Sequence, residues 1–204
     1  MTSKIARRAL SISGAAALTL AIALAPQAAL ADSPDEAPTI INENMPMSIA
    51  GYDAAIAEAN GFEIVTDESG VTRSVPVTDE AKALVREAAA DSADFTTFDT
   101  VVGDCGQAWL NGSKGANDRV SFTTGYSVRL PVQLHQWRVT AYGFITTGEK
   151  NYAQGAGPAV WSKSDSTTAI GPGYAIVPGF SPVAMVKLVD GATCYSGGPS
   201  FNFG

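Results

Sequence analysis

The sequence has few of the residues from which catalytic and metal sites are most often built. Its 204 residues include one histidine and two cysteines, and only 16% of them are charged. One histidine and two cysteines are too few for a structural zinc site made from those residues alone. The net charge of -7 is the opposite of the basic footprint that nucleic-acid-binding proteins carry. These shortages predict no metal site, and they argue against nucleic acid as a partner.

The remaining composition is that of a folded chain. Hydrophobic residues make up 46% of the sequence, which is too high a fraction for a wholly disordered protein. A length of 204 residues suits one or two domains and is enough to bury a sizeable core.

The first 31 residues have the layout of a secretory signal peptide. Three basic residues open the chain, an alanine-rich apolar run follows over 9–25, and residues 29–31 (Ala-Leu-Ala) form a small-x-small cleavage motif. The alternative is an uncleaved membrane anchor, but Ser11, Ser13 and Gly14 shorten the apolar run below the roughly 20 residues that a spanning helix needs. We therefore expect cleavage before Asp32, an extracellular product and no membrane span in it.

Charge divides the rest of the chain into two parts. Residues 32–94 hold 14 acidic and 3 basic residues, whereas residues 95–204 hold 6 acidic and 7 basic ones. This asymmetry predicts a boundary near residue 94. We interpret 32–51 as an acidic leader, 52–94 as a small helix–hairpin–helix segment and 95–204 as a separate β domain. An alternative is that the acidic part is a pro-region.

Local patterns define the helix–hairpin–helix segment. A short helix over 52–59 ends at Asn60-Gly61, and two strands at 62–66 and 71–77 flank a turn. Thr78 is suited to cap a second helix. One apolar stripe of this helix contains Ala81, Leu84, Val85, Ala88 and Ala89.

Residues from Phe95 onward follow a period of two, which indicates strands. Apolar residues alternate with polar ones from 119 to 134, a run too long for one strand, so we expect a break near Gly125 or Pro131. The apolar phase then shifts, which predicts a bulge near His135-Gln136. Asn111-Gly112 and Asp190-Gly191 are typical of hairpin turns. Further strands are predicted near 98–102, 105–110, 159–163, 174–177, 183–189 and 193–196. The fold class is therefore mainly β, an antiparallel β-sandwich or small barrel.

Cys105 and Cys194 are the only cysteines. In an extracellular protein an even pair favours a disulfide over two free thiols. The bridge would place the start of the β domain beside its end.

Candidates for catalysis are scarce. His135 is the only histidine, and the pattern places it on the solvent side of a strand, where it is typical of a surface residue. Asp99 and Asp104 lie close to Gly103 and Cys105 in the sequence. Together with His135 they are the only candidate catalytic residues for an alternative hydrolase function. No Gly-x-Ser-x-Gly elbow is present, and residues 148–157 contain neither a dinucleotide nor a phosphate-loop motif. We expect no cofactor.

Aromatic residues suggest binding instead. All three tryptophans and five of the six tyrosines lie after residue 95, and we place Tyr126 and Trp137 in the core. Tyr142 and Tyr152 flank a glycine-rich connection over 143–157 and are the candidate binding residues. The main hypothesis is a non-catalytic module that binds a cell-envelope polymer or a protein. A secreted protease inhibitor is a further alternative.

Two stretches carry a resemblance in layout. Residues 59–64 (Ala-Asn-Gly-Phe-Glu-Ile) with their hairpin, followed by Gly103-Asp104-Cys105-Gly106, resemble secreted proteins of high-GC Gram-positive bacteria. The resemblance covers most of the chain through its order of signal peptide, helix–hairpin–helix and cysteine-bridged β domain. It implies an extracellular location and no particular catalytic activity.

Overall fold

The computed structural model describes residues 43–92 and 104–204. The predicted signal peptide, the strand predicted near 98–102 and Asp99 lie outside the described residues. The described chain is mainly β, as the sequence predicts. In chain order its helices and strands are β1 (Asn44–Tyr52), α1 (Ala54–Ala59), β2 (Phe62–Thr66), β3 (Thr72–Pro76), α2 (Asp79–Ser92), β4 (Gly106–Lys114), β5 (Arg119–Val128), β6 (Val132–Gly143), β7 (Thr147–Gln154), β8 (Val160–Thr168), β9 (Gly173–Ile176), β10 (Met185–Leu188), β11 (Ala192–Tyr195) and β12 (Ser200–Phe203).

Ten of the strands form one antiparallel sheet. Its order is β12-β9-β6-β10-β11-β1-β4-β5-β8, and β7 pairs with β6 as well. Strand β6 is long enough to pair with β10 near its start and with β9 near its end, while β7 runs along most of its length. The sheet does not close into a barrel, which was one of the two expected architectures. Strands β7 and β8 meet through side chains, with Tyr152 hydrogen-bonded to Asp165, and not through a ladder of backbone bonds.

The core lies between β5 and β6, which face each other across the curled sheet. Alternate residues of β5 point inward, and Tyr126 and Trp137 are fully buried with ring centroids 5.3 Å apart. The indole Nε1 of Trp137 donates to Thr124 Oγ1 at 2.9 Å, and that hydroxyl donates to the Trp109 carbonyl oxygen at 3.1 Å. The indole N–H and the Thr124 hydroxyl are thus both paired, as polar groups in a dry core generally are.

Strand β1 corrects the prediction of a leader over 32–51. Its residues 44–47 pair with β4, and its residues 48–52 pair with β11, so the strand passes from one part of the sheet to another. Pro46 made a strand improbable by pattern because proline lacks an N–H for a central ladder. The structure places Pro46 just before the point where β1 exchanges one partner for the other. The predicted disulfide joins Cys105 and Cys194 beside this point, with the Cα atoms 6.1 Å apart.

Residues 53–92, which follow β1, contain two helices around a hairpin. The Asp53 side chain accepts from Ile56 N at the start of α1, and the Thr78 hydroxyl accepts from Ala81 N at the start of α2. Strands β2 and β3 pair from Phe62↔Pro76 to Thr66↔Thr72. On α2, Ala81 is buried and Leu84, Val85 and Ala88 are half-buried, but Ala89 is exposed.

Two local predictions are wrong, one strand was missed, and the predicted break is confirmed at one of its two positions. Asn111-Gly112 lies inside β4, where Gly112 leaves room for the Phe201 ring of β12; the actual turn, at 115–118, has Asn117 in the left-handed region. The connection over 143–157 contains β7, and β12 was not predicted at all. The break in the long alternating run falls at 129–131, so the expectation at Pro131 is confirmed and that at Gly125 is not.

Candidate functional site

His135 is a core residue, contrary to the prediction that it faces solvent. It is 2% exposed, its Nδ1 shares a 2.8 Å hydrogen bond with the Tyr126 hydroxyl, and its ring contacts Trp161 edge-on at 4.7 Å. The reason is an irregularity in β6: Lys187 pairs with Leu134 but Leu188 pairs with Val132, which leaves Gln133 bulged. The bulge reverses the alternation of inward and outward side chains along β6. Because it lies two residues before the expected position, His135 points inward. Burial lowers the pKa of the imidazole, because a dry environment disfavours its charged form.

Asp104 and His135, the two described residues of the alternative hydrolase site, do not meet. Asp104 is exposed, and its Oδ1 accepts from Ile49 N at 2.9 Å. His135 lies in register with Val186, Val186 with Cys194, and Cys194 with Ile49. His135 is therefore three strand spacings, roughly 14 Å, from the backbone that Asp104 contacts. At that separation the carboxylate cannot orient the imidazole as a general base.

Tyr152 is an internal contact residue. It stands opposite Trp137 in the β6–β7 pairing and packs against Trp161 with ring centroids 5.6 Å apart. Its hydroxyl donates to Asp165 Oδ2 at 2.9 Å, and Lys150 lies 3.5 Å from the other oxygen of that carboxylate. Burial and the bond to Asp165 together raise the pKa of the phenol. Tyr152 therefore bridges the gap between β7 and β8.

Tyr142 occupies the opposite face of the sheet, because it lies five residues from the inward-pointing Trp137 on the same strand. It is 41% exposed and pairs in register with Tyr174 of β9, with the two ring centroids 5.1 Å apart. Asn202 of β12 pairs with Tyr174, and Thr147 of β7 pairs with Tyr142. A single row across four strands thus runs Asn202, Tyr174, Tyr142, Thr147. The structure does not bring Tyr142 and Tyr152 together.

The turn between β6 and β7 extends this exposed surface. Phe144 is 85% exposed and Ile145 is 68% exposed, and both follow directly on the strand that carries Tyr142. Together, Tyr142, Phe144, Ile145 and Tyr174 form what we call the aromatic end. Large apolar side chains exposed next to one another are unusual on a protein that acts alone, and they are typical of binding surfaces.

Backbone hydrogen bonds fix the turn that carries Phe144 and Ile145. Phe144 N donates to the Pro172 carbonyl oxygen at 3.0 Å, and Ile145 N donates to the Ile170 carbonyl oxygen at 2.9 Å. Ile170 N in turn donates to Thr146 Oγ1 at 2.9 Å. The apolar side chains are therefore presented on a backbone that is already ordered, which lowers the entropic penalty of binding.

The aromatic end is also free of formal charge in its own segments. The sequence contains no Asp, Glu, Lys, Arg or His in 142–148 or in 166–186. These segments supply the β6–β7 turn and the loop that its backbone contacts. The Lys114 ammonium donates to the Gly171 carbonyl oxygen of this loop at 2.6 Å, but it is paired with Asp118 at 2.8 Å, so it adds no net charge. Such a surface offers rings, methyl groups and hydroxyls, and it suits an uncharged ligand.

Sequence reasoning found Tyr142 but missed Tyr174, Phe144 and Ile145. The sequence placed Tyr174 on a strand but did not show which face of the sheet it occupies. Only the β6–β9 pairing shows that it stands beside Tyr142. The signal that was available is the uncharged turn Gly143-Phe144-Ile145-Thr146, which has two large apolar residues where turns are usually polar.

Within 43–92 and 104–204, no cluster of three or more His, Cys, Asp or Glu side chains could hold a metal ion. No helix in the same ranges has the length and apolar character to cross a membrane. Comparison of the chain with known protein families, with curated proteins and with solved structures finds no match.

Proposed function

We propose that this chain is a secreted, non-catalytic binding module, a β-sandwich that contacts a neutral glycan of the cell envelope through its aromatic end. The observation that carries the proposal is the exposed pair Tyr142 and Tyr174, extended by Phe144 and Ile145 on an ordered turn. The helix–hairpin–helix segment over 52–94 is an accessory part of the same module.

The chemistry of the four-strand row favours a sugar polymer. Tyrosine offers an apolar ring and a hydroxyl, which match the apolar faces and the hydroxyl groups of a sugar. Thr147 stands at one end of the row, where its exposed polar side chain can exchange hydrogen bonds with a ligand. The row spans three strand spacings, about 14 Å, so it can contact more than one sugar unit.

The two alternatives from the sequence have less support. A hydrolase was predicted to use Asp99, Asp104 and His135, and the pairing of the strands separates Asp104 from His135. A protease inhibitor would need a rigid exposed loop, and the turn over 143–146 is rigid but short, with Gly143 N donating to the Thr146 carbonyl oxygen at 2.9 Å, so it offers few residues to a protease cleft.

The test is co-sedimentation of the secreted protein with insoluble glycans: purified cell walls, cellulose and chitin. We expect binding to at least one of them, and a loss of about tenfold or more in the double variant Tyr142→Ala, Tyr174→Ala. Each tyrosine ring should contribute about 1 kcal/mol, and 1.4 kcal/mol is a factor of ten. Because the aromatic end is uncharged, binding should change little between 50 mM and 500 mM salt.

Two controls make the result specific. Tyr142→Phe, Tyr174→Phe keeps the rings and should retain most of the affinity, because ring contact is the larger contribution. Phe180→Ala removes a ring that is 72% exposed beyond the other end of β9 and should bind as the wild type does. Equal binding by the alanine double variant and the wild type would contradict the proposal, as would the absence of binding to every glycan tested.

A further inference from the structure

Trp109 differs from the other two tryptophans in where its ring lies. Trp137 is fully buried and Trp161 packs against the core, whereas Trp109 is half-buried and stands outside that core in the described structure. Its directly paired residue on β5 is Gly125, and paired residues of an antiparallel sheet point to the same face. Because Tyr126, the next residue on β5, points into the core, Trp109 and Gly125 lie on the outer face of the sheet.

The indole ring of Trp109 lies against the backbone of Gly125. A Cβ atom at residue 125 would collide with Cζ2 of the ring and would come within 2.7 Å of Cε2. Glycine leaves that space free, so the ring lies close along the sheet. Trp109 Nε1 has no hydrogen-bond partner among the described residues, and it is not one of their buried unpaired atoms, so solvent reaches it. The indole N–H is therefore available to a ligand.

Hydroxyl side chains continue this outer face on β5 and β8. Ser162 stands beside Gly125 in the β5–β8 pairing, and the next two rows pair Thr123 with Ser164 and Ser121 with Ser166. The hydroxyls of Thr123 and Ser164 share a 2.8 Å hydrogen bond at the surface, and Ser121 and Ser162 are exposed. We call this surface the Trp109 face; its residues are Trp109, Ser121, Thr123, Ser162, Ser164 and Ser166.

The Trp109 face carries no formal charge. Residues 105–113 and 120–128, which include most of β4 and β5, contain no Asp, Glu, Lys, Arg or His. Lys163 and Asp165 of β8 pair with inward residues of β5, so they belong to the other face. Charges stand only at the margins, with Arg119 beyond Ser121 on β5 and Glu43 at the start of β1. The surface therefore suits an uncharged ligand.

The Trp109 face and the aromatic end point away from each other. Strands β5 and β6 face each other across the core through Tyr126 and Trp137, whose ring centroids are 5.3 Å apart. Outward side chains of β5 therefore point in the direction opposite to outward side chains of β6, which carries Tyr142. A ligand on one surface leaves the other surface open.

We propose that the Trp109 face is a second contact surface for a neutral glycan, with one sugar unit stacked on the indole ring. The indole offers a large apolar area and an N–H donor, and each serine or threonine hydroxyl both donates and accepts, which matches the faces and hydroxyl groups of a sugar. The inference rests on the proposed function for its ligand class, but its location is independent of the aromatic end.

The test is titration of the full chain, labelled with ¹⁵N, with three neutral oligosaccharides: cellotetraose, chitotetraose and maltotetraose. NMR spectra follow the indole N–H of Trp109 for this surface and the backbone amides of Tyr142 and Tyr174 for the aromatic end. We expect at least one tetrasaccharide to shift the Trp109 signal saturably, with a dissociation constant of about 1 mM, ordinary for a small ligand.

The decisive variant is Ser162→Glu. It places a charged side chain beside the indole ring at an exposed position of β8, so it should weaken binding at the Trp109 signal fivefold or more. Binding at the Tyr142 and Tyr174 signals and the urea midpoint should not change. Thr72→Glu adds the same charge at an exposed position of β3 and should alter none of these measurements. Trp109→Ala should remove the saturable shifts of the Thr123 and Ser164 amides, but it also uncovers Gly125, so Ser162→Glu separates binding from stability better.

The two groups of signals separate this inference from the proposed function. Shifts at Tyr142 and Tyr174 with none at Trp109, at tenfold the expected dissociation constant, would overturn the second surface and leave the aromatic end supported. Shifts at Trp109 alone would support the second surface and contradict the aromatic end. Unchanged binding at the Trp109 signal in Ser162→Glu would also overturn the inference, as would the absence of any shift with all three tetrasaccharides.

Discussion

Reduction of the disulfide should destabilise the fold strongly, because of where the bridge lies. Cys105 N donates to the Met47 carbonyl oxygen at 3.3 Å, and Cys194 stands opposite Ile49 in the β1–β11 pairing. The bridge therefore joins β4 and β11 where β1 changes from one partner to the other. Both cysteines are buried, so the thiols keep their packing after reduction and the change isolates the cross-link itself.

The magnitude follows from the length of chain that the bridge closes. The two cysteines are 89 residues apart. In the chain-entropy model a loop of this length stabilises the native state by about 4.6 kcal/mol at 25 °C, because it restricts the unfolded chain. Since small domains are stable by roughly 5–15 kcal/mol, the reduced protein should retain between a small fraction and two thirds of its stability.

The assay is urea unfolding of the oxidised and the reduced protein, followed by tryptophan fluorescence, which Trp137 reports from a fully buried position. We expect the free energy of unfolding to fall by about 4–5 kcal/mol and the denaturant slope to rise, because the reduced unfolded chain is more expanded. Cys105→Ala, Cys194→Ala and the double variant should lose similar amounts, since either substitution opens the same loop. A loss below about 1 kcal/mol on reduction would refute the reasoning.

Two further predictions concern the core. Burial lowers the pKa of His135 in the folded protein, so the unfolded chain binds the proton first as the pH falls. Stability should be level well above the unfolded pKa of about 6.5 and decline as the pH falls through and below it, and His135→Gln should remove this slope in urea midpoints. Gly125→Ala should destabilise by about 2–4 kcal/mol in the same assay, because a Cβ there would collide with the Trp161 carbonyl oxygen and the Trp109 ring, whereas Gly51→Ala meets nothing within 4 Å and should change stability by less than about 0.5 kcal/mol. A flat pH profile in the wild type, or equal effects at the two glycines, would contradict these expectations.

Local patterns predicted the elements whose cause is local. The alternation over 119–128 predicts β5 because the period of a strand is the period of the side chains, and its inward set includes Tyr126 as expected. The cap at Thr78 predicts the start of α2 because the Thr78 hydroxyl bonds to Ala81 N three residues away. The turn at Asp190-Gly191 was found for the same reason, since Gly191 adopts the left-handed region that such turns need.

Failures of prediction occurred where a distant strand decides the outcome. Whether Asn111-Gly112 turns or continues β4 depends on the Phe201 ring, which comes from the last strand of the chain. The inward orientation of the His135 side chain depends on a bulge at Gln133, and only the pairing with β10 shows that bulge. Strand β1 was missed because its partners, β4 and β11, lie more than 50 residues away in the sequence.

The sequence by itself determined the β class of the fold, the alternating inner face of β5 and the capped helix α2, because each of these depends on residues a few positions apart. Tertiary structure alone decided which side chains stand together: Tyr142 beside Tyr174 at the aromatic end, and Tyr126 beside His135 in the core. Residues that are distant in the chain become neighbours only when strand order and register are fixed, and burial over the whole core selects that register.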